Sequence, residues 1–104
     1  MKFKYNYQEK KLWRIEDNYL YEILEENRFI EHLVYIGTLV KFKLGESHWL
    51  TLRSYAGLNP KITVYYTKPL KNNELVHYEK QINPGWLQME TIFEFTETDR
   101  VEKI

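Results

Sequence analysis

The chain contains no cysteine, which excludes disulfide bonds and thiolate chemistry. It has no apolar run near the roughly 18 residues that a membrane-spanning helix needs, and its charged, alternating start has no signal-peptide core. Alanine occurs once, at Ala56, while Lys, Asn, Ile, Tyr and Glu are abundant, as in AT-rich genomes such as those of low-GC bacteria and their phages. We therefore expect a cytoplasmic protein that does not associate with a membrane.

Net charge is also lacking, because fifteen Lys and Arg residues balance fifteen Asp and Glu residues. No global field recruits nucleic acid or an anionic membrane. A length of 104 residues, with 43% apolar and 29% charged side chains, predicts a single compact domain over residues 1–104. Nine tyrosines, five phenylalanines and three tryptophans exceed what such a core needs, so some should lie at the surface, where Tyr and Trp favour interfaces.

Recognisable catalytic and cofactor motifs are missing as well, including the P-loop, G-x-G-x-x-G and G-x-S-x-G. Ser47 and His48 are adjacent, but neighbouring strand residues point to opposite faces, so His48 is badly placed as a base for Ser47. The three histidines, His32, His48 and His77, form no close pair of metal ligands. We expect no catalytic residue, metal or cofactor, and an enzyme without a familiar motif ranks third among the functional hypotheses.

The segment Leu39–Tyr55 predicts a β-hairpin whose pairing is specified by its own residues. Apolar side chains alternate with basic or polar ones on both sides of a short polar turn, which is typical of strands with one buried face. A three-residue loop over Gly45–Ser47 sets Phe42 opposite Leu50, whereas a one-residue slip would move every side chain to the other face. Gly45 would give the turn its backbone freedom.

Alternation predicts further strands on both sides of this hairpin: Lys2–Tyr7, Leu12–Ile15, Lys61–Thr67, Glu74–Ile82 and Met89–Thr96. Keeping apolar residues together in the later hairpin sets Val64 opposite Tyr78 and Tyr66 opposite Val76. Residues 56–60 form a loop by their Gly, Asn and Pro content. The charged segment 97–104 is expected to fray.

One helix is predicted between the first two hairpins. Asp17 fits an N-cap, and apolar residues follow it at helical spacing: Leu20, Ile23 and Leu24. The spacing degrades after Asn27. The helix therefore either ends near Asn27, leaving residues 28–36 extended or irregular, or continues to Gly37 in poor phase, and we favour the shorter form.

These elements together predict an α+β fold. Six to seven strands would form a predominantly antiparallel curled sheet or small barrel, with one helix near residues 17–27 packed against it. The expected core contains the inward residues of these elements: Leu20, Ile23, Leu24, Val40, Phe42, Leu50, Leu52, Ile62, Val64 and Phe93.

The outer side of the central hairpin is the candidate binding site, because it would bring cations and aromatics together: Lys41, Lys43, Trp49, Arg53 and Tyr55. Trp, Tyr and Arg are the usual energetic anchors of protein interfaces. Cations beside exposed aromatics also suit single-stranded nucleic acid, whose bases stack on the rings. Alternatively, another strand or the helix covers this side, and the lysine and arginine stems pack along the aromatics.

The hypothesis that fits best is a non-catalytic protein-binding module, such as a small regulator, inhibitor or assembly subunit. Surplus Tyr and Trp, balanced charge and the lack of assembled reactive groups favour it. A nucleic-acid-binding β-domain that uses the same residues is the alternative.

Overall fold

The computed structural model describes residues 1–34, 37–55, 61–83 and 90–102. These residues fold into two antiparallel sheets that pack face to face, with one-turn 3₁₀ helices between some of the strands. In this described part of the chain, no helix is long and apolar enough to cross a membrane.

The strands of the described residues are, in chain order, β1 (Lys2–Asn6), β2 (Lys11–Glu16), β3 (Tyr19–Glu22), β4 (Arg28–Leu33), β5 (Gly37–Lys43), β6 (Trp49–Tyr55), β7 (Lys61–Pro69), β8 (Leu75–Ile82), β9 (Glu90–Glu94) and β10 (Arg100–Val101). The smaller sheet has the order β3-β2-β1-β9. The larger sheet has the order β10-β8-β7-β6-β5-β4.

The core lies between the two sheets and is built largely from aromatic rings. Tyr66 of the larger sheet stacks on Phe95, with ring centroids 5.5 Å apart, and lies 6.1 Å from Phe3 of β1. Seven predicted core residues are confirmed as buried: Val40, Phe42, Leu50, Leu52, Ile62, Val64 and Phe93. The prediction omitted Phe3, Tyr5, Leu12, Tyr66, Val76, Tyr78 and Phe95, which are buried as well.

The central hairpin has the predicted register. Phe42 of β5 lies opposite Leu50 of β6. The three-residue loop is closed by the Leu44 N–H, which donates to the His48 carbonyl at 2.9 Å. The role of Gly45 is steric, since its φ is not in the left-handed region and an added Cβ would lie 3.1 Å from His48 Nδ1.

The predicted helix near residues 17–27 is wrong, and the fold is nearly all β rather than α+β. Asp17 and Asn18 have φ of 48° and 66° and form a two-residue hairpin turn between β2 and β3. Asp and Asn tolerate this left-handed backbone, so a residue that resembles an N-cap instead reverses the chain. Leu20 and Leu24 are more than half exposed, and their helical spacing is coincidental.

Ile23 is partly buried against the core, as the remaining member of that predicted stripe. A single 3₁₀ turn follows at Glu25–Asn27. The extended alternative for residues 28–36 is confirmed for Arg28–Leu33, which forms β4. Residues 35, 36 and 56–60, for which a loop or extended chain was predicted, lie outside the described residues.

The predicted single curled sheet or small barrel of six to seven strands is also wrong. The first hairpin, β1–β2, pairs with β9 and forms a second layer instead of extending the larger sheet. Phe3 and Tyr5 face the larger sheet and contact Tyr66 and Phe42 there, so the aromatic core lies between two layers.

The hairpin of β7 and β8 forms as predicted, but its register differs by two residues. Tyr66 lies opposite Tyr78 and Val64 opposite Lys80, because β7 continues through Pro69 before the chain turns. Asn72 and Asn73 carry that turn with φ of 66° and 60°.

The C-terminal segment is more ordered than the predicted frayed tail. The Asp99 carboxylate accepts a hydrogen bond from the Thr96 backbone N–H at 2.8 Å, which closes a capping box around a 3₁₀ turn. Residues Arg100–Val101 then pair with β8 as strand β10. Met89, predicted to start the last strand, and residues 103 and 104 lie outside the described residues.

Candidate functional site

The side of the larger sheet that faces away from the smaller sheet is here called the outer face. On β5 and β6, alternate residues are fully buried against the smaller sheet, as Phe42 and Leu50 show. The residues between them therefore project to the outer face, because successive strand residues point to opposite sides. The structure places all five predicted site residues there: Lys41, Lys43, Trp49, Arg53 and Tyr55.

The five side chains differ in exposure. Lys41, Lys43 and Tyr55 are exposed, while Trp49 and Arg53 are half-buried. The Lys43 ammonium lies 5.8 Å from the centroid of the Trp49 ring, and the Arg53 guanidinium lies 5.5 Å from that of Tyr55. Both are cation–π pairs at a solvent-facing surface. Their role in binding stays a prediction.

Pairing across the strands orders the outer face into rows. One row contains, from β4 to β8, Phe29, Lys41, Thr51, Tyr65 and Glu79. The next row contains Lys43, Trp49, Thr67 and His77, and ends at Val101 of β10. With neighbouring strands about 4.8 Å apart, the first row extends about 19 Å across the sheet.

A trough follows these rows across the outer face and consists of two adjoining depressions. The larger has a volume of about 530 Å³ and is lined by Phe29, Ile30, Glu31, Leu39, Lys41, Trp49, Thr51 and Thr67. The smaller, about 270 Å³, is lined by Thr51, Tyr65, Thr67, His77, Tyr78, Glu79 and Val101. Thr51 and Thr67 belong to both and form the shared floor. The Phe29 and Trp49 rings, whose centroids are 6.5 Å apart, both line the larger depression.

The charges around the trough are unpaired within the described residues. The ion pairs there are Lys4–Glu90, Arg14–Glu16, Glu25–Arg28 and Lys80–Asp99, and none involves an outer-face cation. Arg53, which lies opposite Leu39 in the neighbouring row, has an Nε that is buried with no hydrogen-bond acceptor among the described residues.

The trough floor also contains a cross-strand hydrogen bond. Thr67 Oγ1 and His77 Nδ1 lie 2.9 Å apart. This contact links β7 and β8 at the smaller depression. Among the described residues, no group of three His, Asp or Glu side chains converges in a way that could hold a metal ion.

Sequence reasoning missed the trough residues outside the central hairpin. Phe29 and Glu31 are on the outer face only because β4 pairs with β5, and the mixed pattern of β4 does not reveal that pairing. Tyr65 and Thr67 alternate with the buried Val64 and Tyr66, so an outward direction could have been inferred for them.

Comparison with protein-family models, curated proteins and solved structures shows no significant similarity of this chain to any of them.

Proposed function

We propose that this protein is a non-catalytic binding module that holds a protein partner in the trough, with Trp49 as its principal anchor. The observation that carries the proposal is the combination of an open depression, lined by both apolar and polar residues, with outer-face cations that lack carboxylate partners among the described residues. Buried Trp, Tyr and Arg contacts dominate the energetics of protein interfaces.

The charge pattern along the trough favours a protein over a polyanion. Glu31 lines the larger depression and Glu79 lines the smaller one, while Lys41 lies between them in the rows of the sheet. A phosphate backbone that followed the trough would meet a carboxylate at each end. A polypeptide with charges of both signs matches this pattern better.

A nucleic-acid-binding β-domain is the second candidate function. The Lys43–Trp49 pair favours it, because a base could stack on the indole while the ammonium contacts a phosphate. Affinity for nucleic acid would fall steeply with salt as counterions are released. Binding of a protein through an apolar anchor would change far less.

The test is affinity capture from a lysate of the source cell, with and without nuclease, at low and high salt. We expect one stoichiometric protein that survives nuclease and high salt. The captured protein should be lost with Trp49→Ala and retained with Trp13→Ala. Trp13 is a matched control because it is also half-buried and lies under a lysine, Lys4, on the other sheet. Recovery that depends on intact nucleic acid would support the second candidate. Equal capture by both variants would contradict a role for the trough.

A further inference from the structure

The strand β4 is an open edge of the larger sheet. It pairs with β5 along all six of its residues, Arg28–Leu33, and its other side has no strand among the described residues. Phe29 is 59% exposed, Ile30 is 40% exposed, and Val34 just beyond the strand is 75% exposed. An edge strand presents unpaired N–H and C=O groups, and proteins normally protect such strands with lysine, proline, short length or a covering element.

The other edges of the two sheets are better protected. β10 has two residues and β3 has four, which leaves little backbone to pair. On β9, the Glu94 carbonyl accepts a hydrogen bond from Lys80 Nζ at 2.8 Å, and Glu90 forms an ion pair with Lys4. β4 contains neither lysine nor proline, and Arg28, its one cation, donates instead to the carbonyls of Glu9 and Lys10.

We propose that β4 pairs with β4 of a second copy of this chain, antiparallel and about a two-fold axis at Ile30. The two larger sheets would join into one continuous sheet with six strands from each copy. In this register Ile30 lies opposite Ile30 of the second copy, and Phe29 lies opposite Glu31 of the second copy.

The register follows from strand parity, ladder length and charge. Residues that face each other across an antiparallel pair must lie on the same side of the sheet. The two-fold axis must therefore pass through a residue of β4 and not between two residues. Centres at Ile30 and Glu31 give the longest ladders. A centre at Glu31 sets two carboxylates directly opposite each other, which is destabilising. A centre at Phe29 keeps a ladder of only Arg28–Ile30, because β4 begins at Arg28.

The register centred at Ile30 also brings a carboxylate toward Lys41, which has no ion-pair partner among the described residues of a single copy. Phe29 lies opposite Lys41, so Glu31 of the second copy enters the same row two strands from Lys41. At about 4.8 Å for each strand spacing, the two Cα atoms would be about 10 Å apart, which a lysine and a glutamate side chain can bridge. The contact occurs twice, by symmetry. It also makes the second copy a contributor to the larger depression.

Disulfide trapping tests the register, because the chain has no native cysteine. Residues directly opposite in an antiparallel pair have Cα atoms about 4.5–5.5 Å apart, within the range of a disulfide bond. With oxidised glutathione as the oxidant, Ile30→Cys should form a covalent dimer. Phe29→Cys and Glu31→Cys should not, since their equivalent residues would be about 8 Å apart along the diagonal. Faster trapping at position 29 or 31 would overturn the register.

Sedimentation velocity over a dilution series tests the dimer itself. We expect a dimer for the wild type and a monomer for Ile30→Lys at the same concentration, because two lysines would meet at the axis. Lys41→Glu, at an exposed position, should weaken the dimer severalfold and gives the test if Ile30→Lys does not fold. A wild type that stays monomeric over the whole series, with no trapping of Ile30→Cys, would overturn the proposal.

The dimer and the proposed function can fail separately. Trp49→Ala should abolish capture of the partner protein and leave the Ile30→Cys crosslink in place. A wild type that sediments as a monomer, forms no Ile30→Cys crosslink and still captures the partner through Trp49 would overturn the dimer and leave the binding module intact.

Discussion

Each sheet has a tryptophan beneath a lysine on its solvent-facing side, and the two pairs differ in charge balance. On the smaller sheet, Lys4 lies opposite Trp13 with its ammonium 5.1 Å from the ring centroid. On the larger sheet, Lys43 lies opposite Trp49 at 5.8 Å. Glu90 neutralises Lys4 at 3.2 Å, whereas no carboxylate of the described residues pairs with Lys43.

The difference shows that the same cross-strand pair can belong to a closed surface or to an open one. Around Trp13, the lysine and a carboxylate form an ion pair. Around Trp49, the lysine has no ion-pair partner among the described residues, and a depression of about 530 Å³ adjoins the ring. We therefore propose that binding is concentrated on the larger sheet, and the following variants test that proposal.

The largest effect should come from the inner side of the hairpin that carries Trp49. Phe42 is 1% exposed, and Phe42→Ala should lower the free energy of unfolding by about 3–5 kcal/mol, through lost burial and the cavity left behind. Phe29→Ala, at an exposed ring, is the control and should cost less than about 1 kcal/mol. Guanidinium denaturation measures both, and similar losses for the two variants would contradict the two-sided description of the sheet.

The second effect compares the two tryptophans in binding. Trp49→Ala should weaken the affinity for the captured partner by at least about thirtyfold, which corresponds to the roughly 2 kcal/mol of binding free energy lost when an interface anchor is truncated. Trp13→Ala should leave the affinity within about twofold, because its surroundings are already neutralised. Isothermal titration with the purified partner measures the ratio. A larger loss for Trp13→Ala would reverse the assignment of the two faces.

The third effect concerns a polar atom in the core. The Tyr66 hydroxyl is buried with no hydrogen-bond partner among the described residues, and burial raises the pKa of Tyr66 above its ordinary value. Removing an unsatisfied hydroxyl costs little, so Tyr66→Phe should change stability by between zero and about 1 kcal/mol in the stabilising direction. A loss above about 1 kcal/mol would reveal a partner for this hydroxyl.

The pH dependence of the same variant gives a second readout. The pKa of Tyr66 is higher in the folded state than the value of about 10 in the unfolded state. The stability linked to the neutral hydroxyl is therefore fully present below about pH 10 and is lost as the pH rises above that value. Tyr66→Phe should therefore lose less stability than the wild type in this alkaline range. Equal losses would assign the alkaline unfolding to other groups, such as the buried Tyr5, whose pKa is also raised by burial.

The smallest effect should come from removing the carboxylate that pairs with Lys4 on the smaller sheet. Glu90→Gln removes the partner of Lys4 at the surface, and an exposed ion pair contributes only about 0–1 kcal/mol. We expect a melting temperature within a few degrees of the wild type. If the freed Lys4 and Trp13 then bind the same partner, charge balance alone distinguishes the two faces. If they do not, the shape of the trough matters as well.

The central hairpin was predictable because alternation and loop length constrain each other. The apolar residues Phe42 and Leu50 exclude a slip of one residue, which would set Lys43 against Leu50, and the three-residue loop excludes a shift of two. The later hairpin lacks such a constraint, because a shift of two residues keeps every side chain on its face. Its register depends on where the turn forms, and the strand continues through Pro69 before the asparagine turn.

The helix prediction failed because the residues that cap helices also form tight turns. Asp17 and Asn18 adopt the left-handed backbone of a two-residue hairpin, and nothing nearby buries Leu20 and Leu24 on a helical stripe. The candidate site was predicted in part. Alternation placed Lys43 and Trp49 on one side, but Phe29 joins them only through the long-range pairing of β4, which local sequence does not encode.

The most direct test of the central claim is site-specific crosslinking, for which the cysteine-free chain is well suited. Lys43→Cys and Lys4→Cys, each carrying a photoreactive benzophenone, are matched because both remove one lysine beside a tryptophan. We predict that the label at position 43 crosslinks the partner protein from the lysate and that the label at position 4 does not. Crosslinking at position 4 alone, or equally at both positions, would contradict the assignment of binding to the larger sheet.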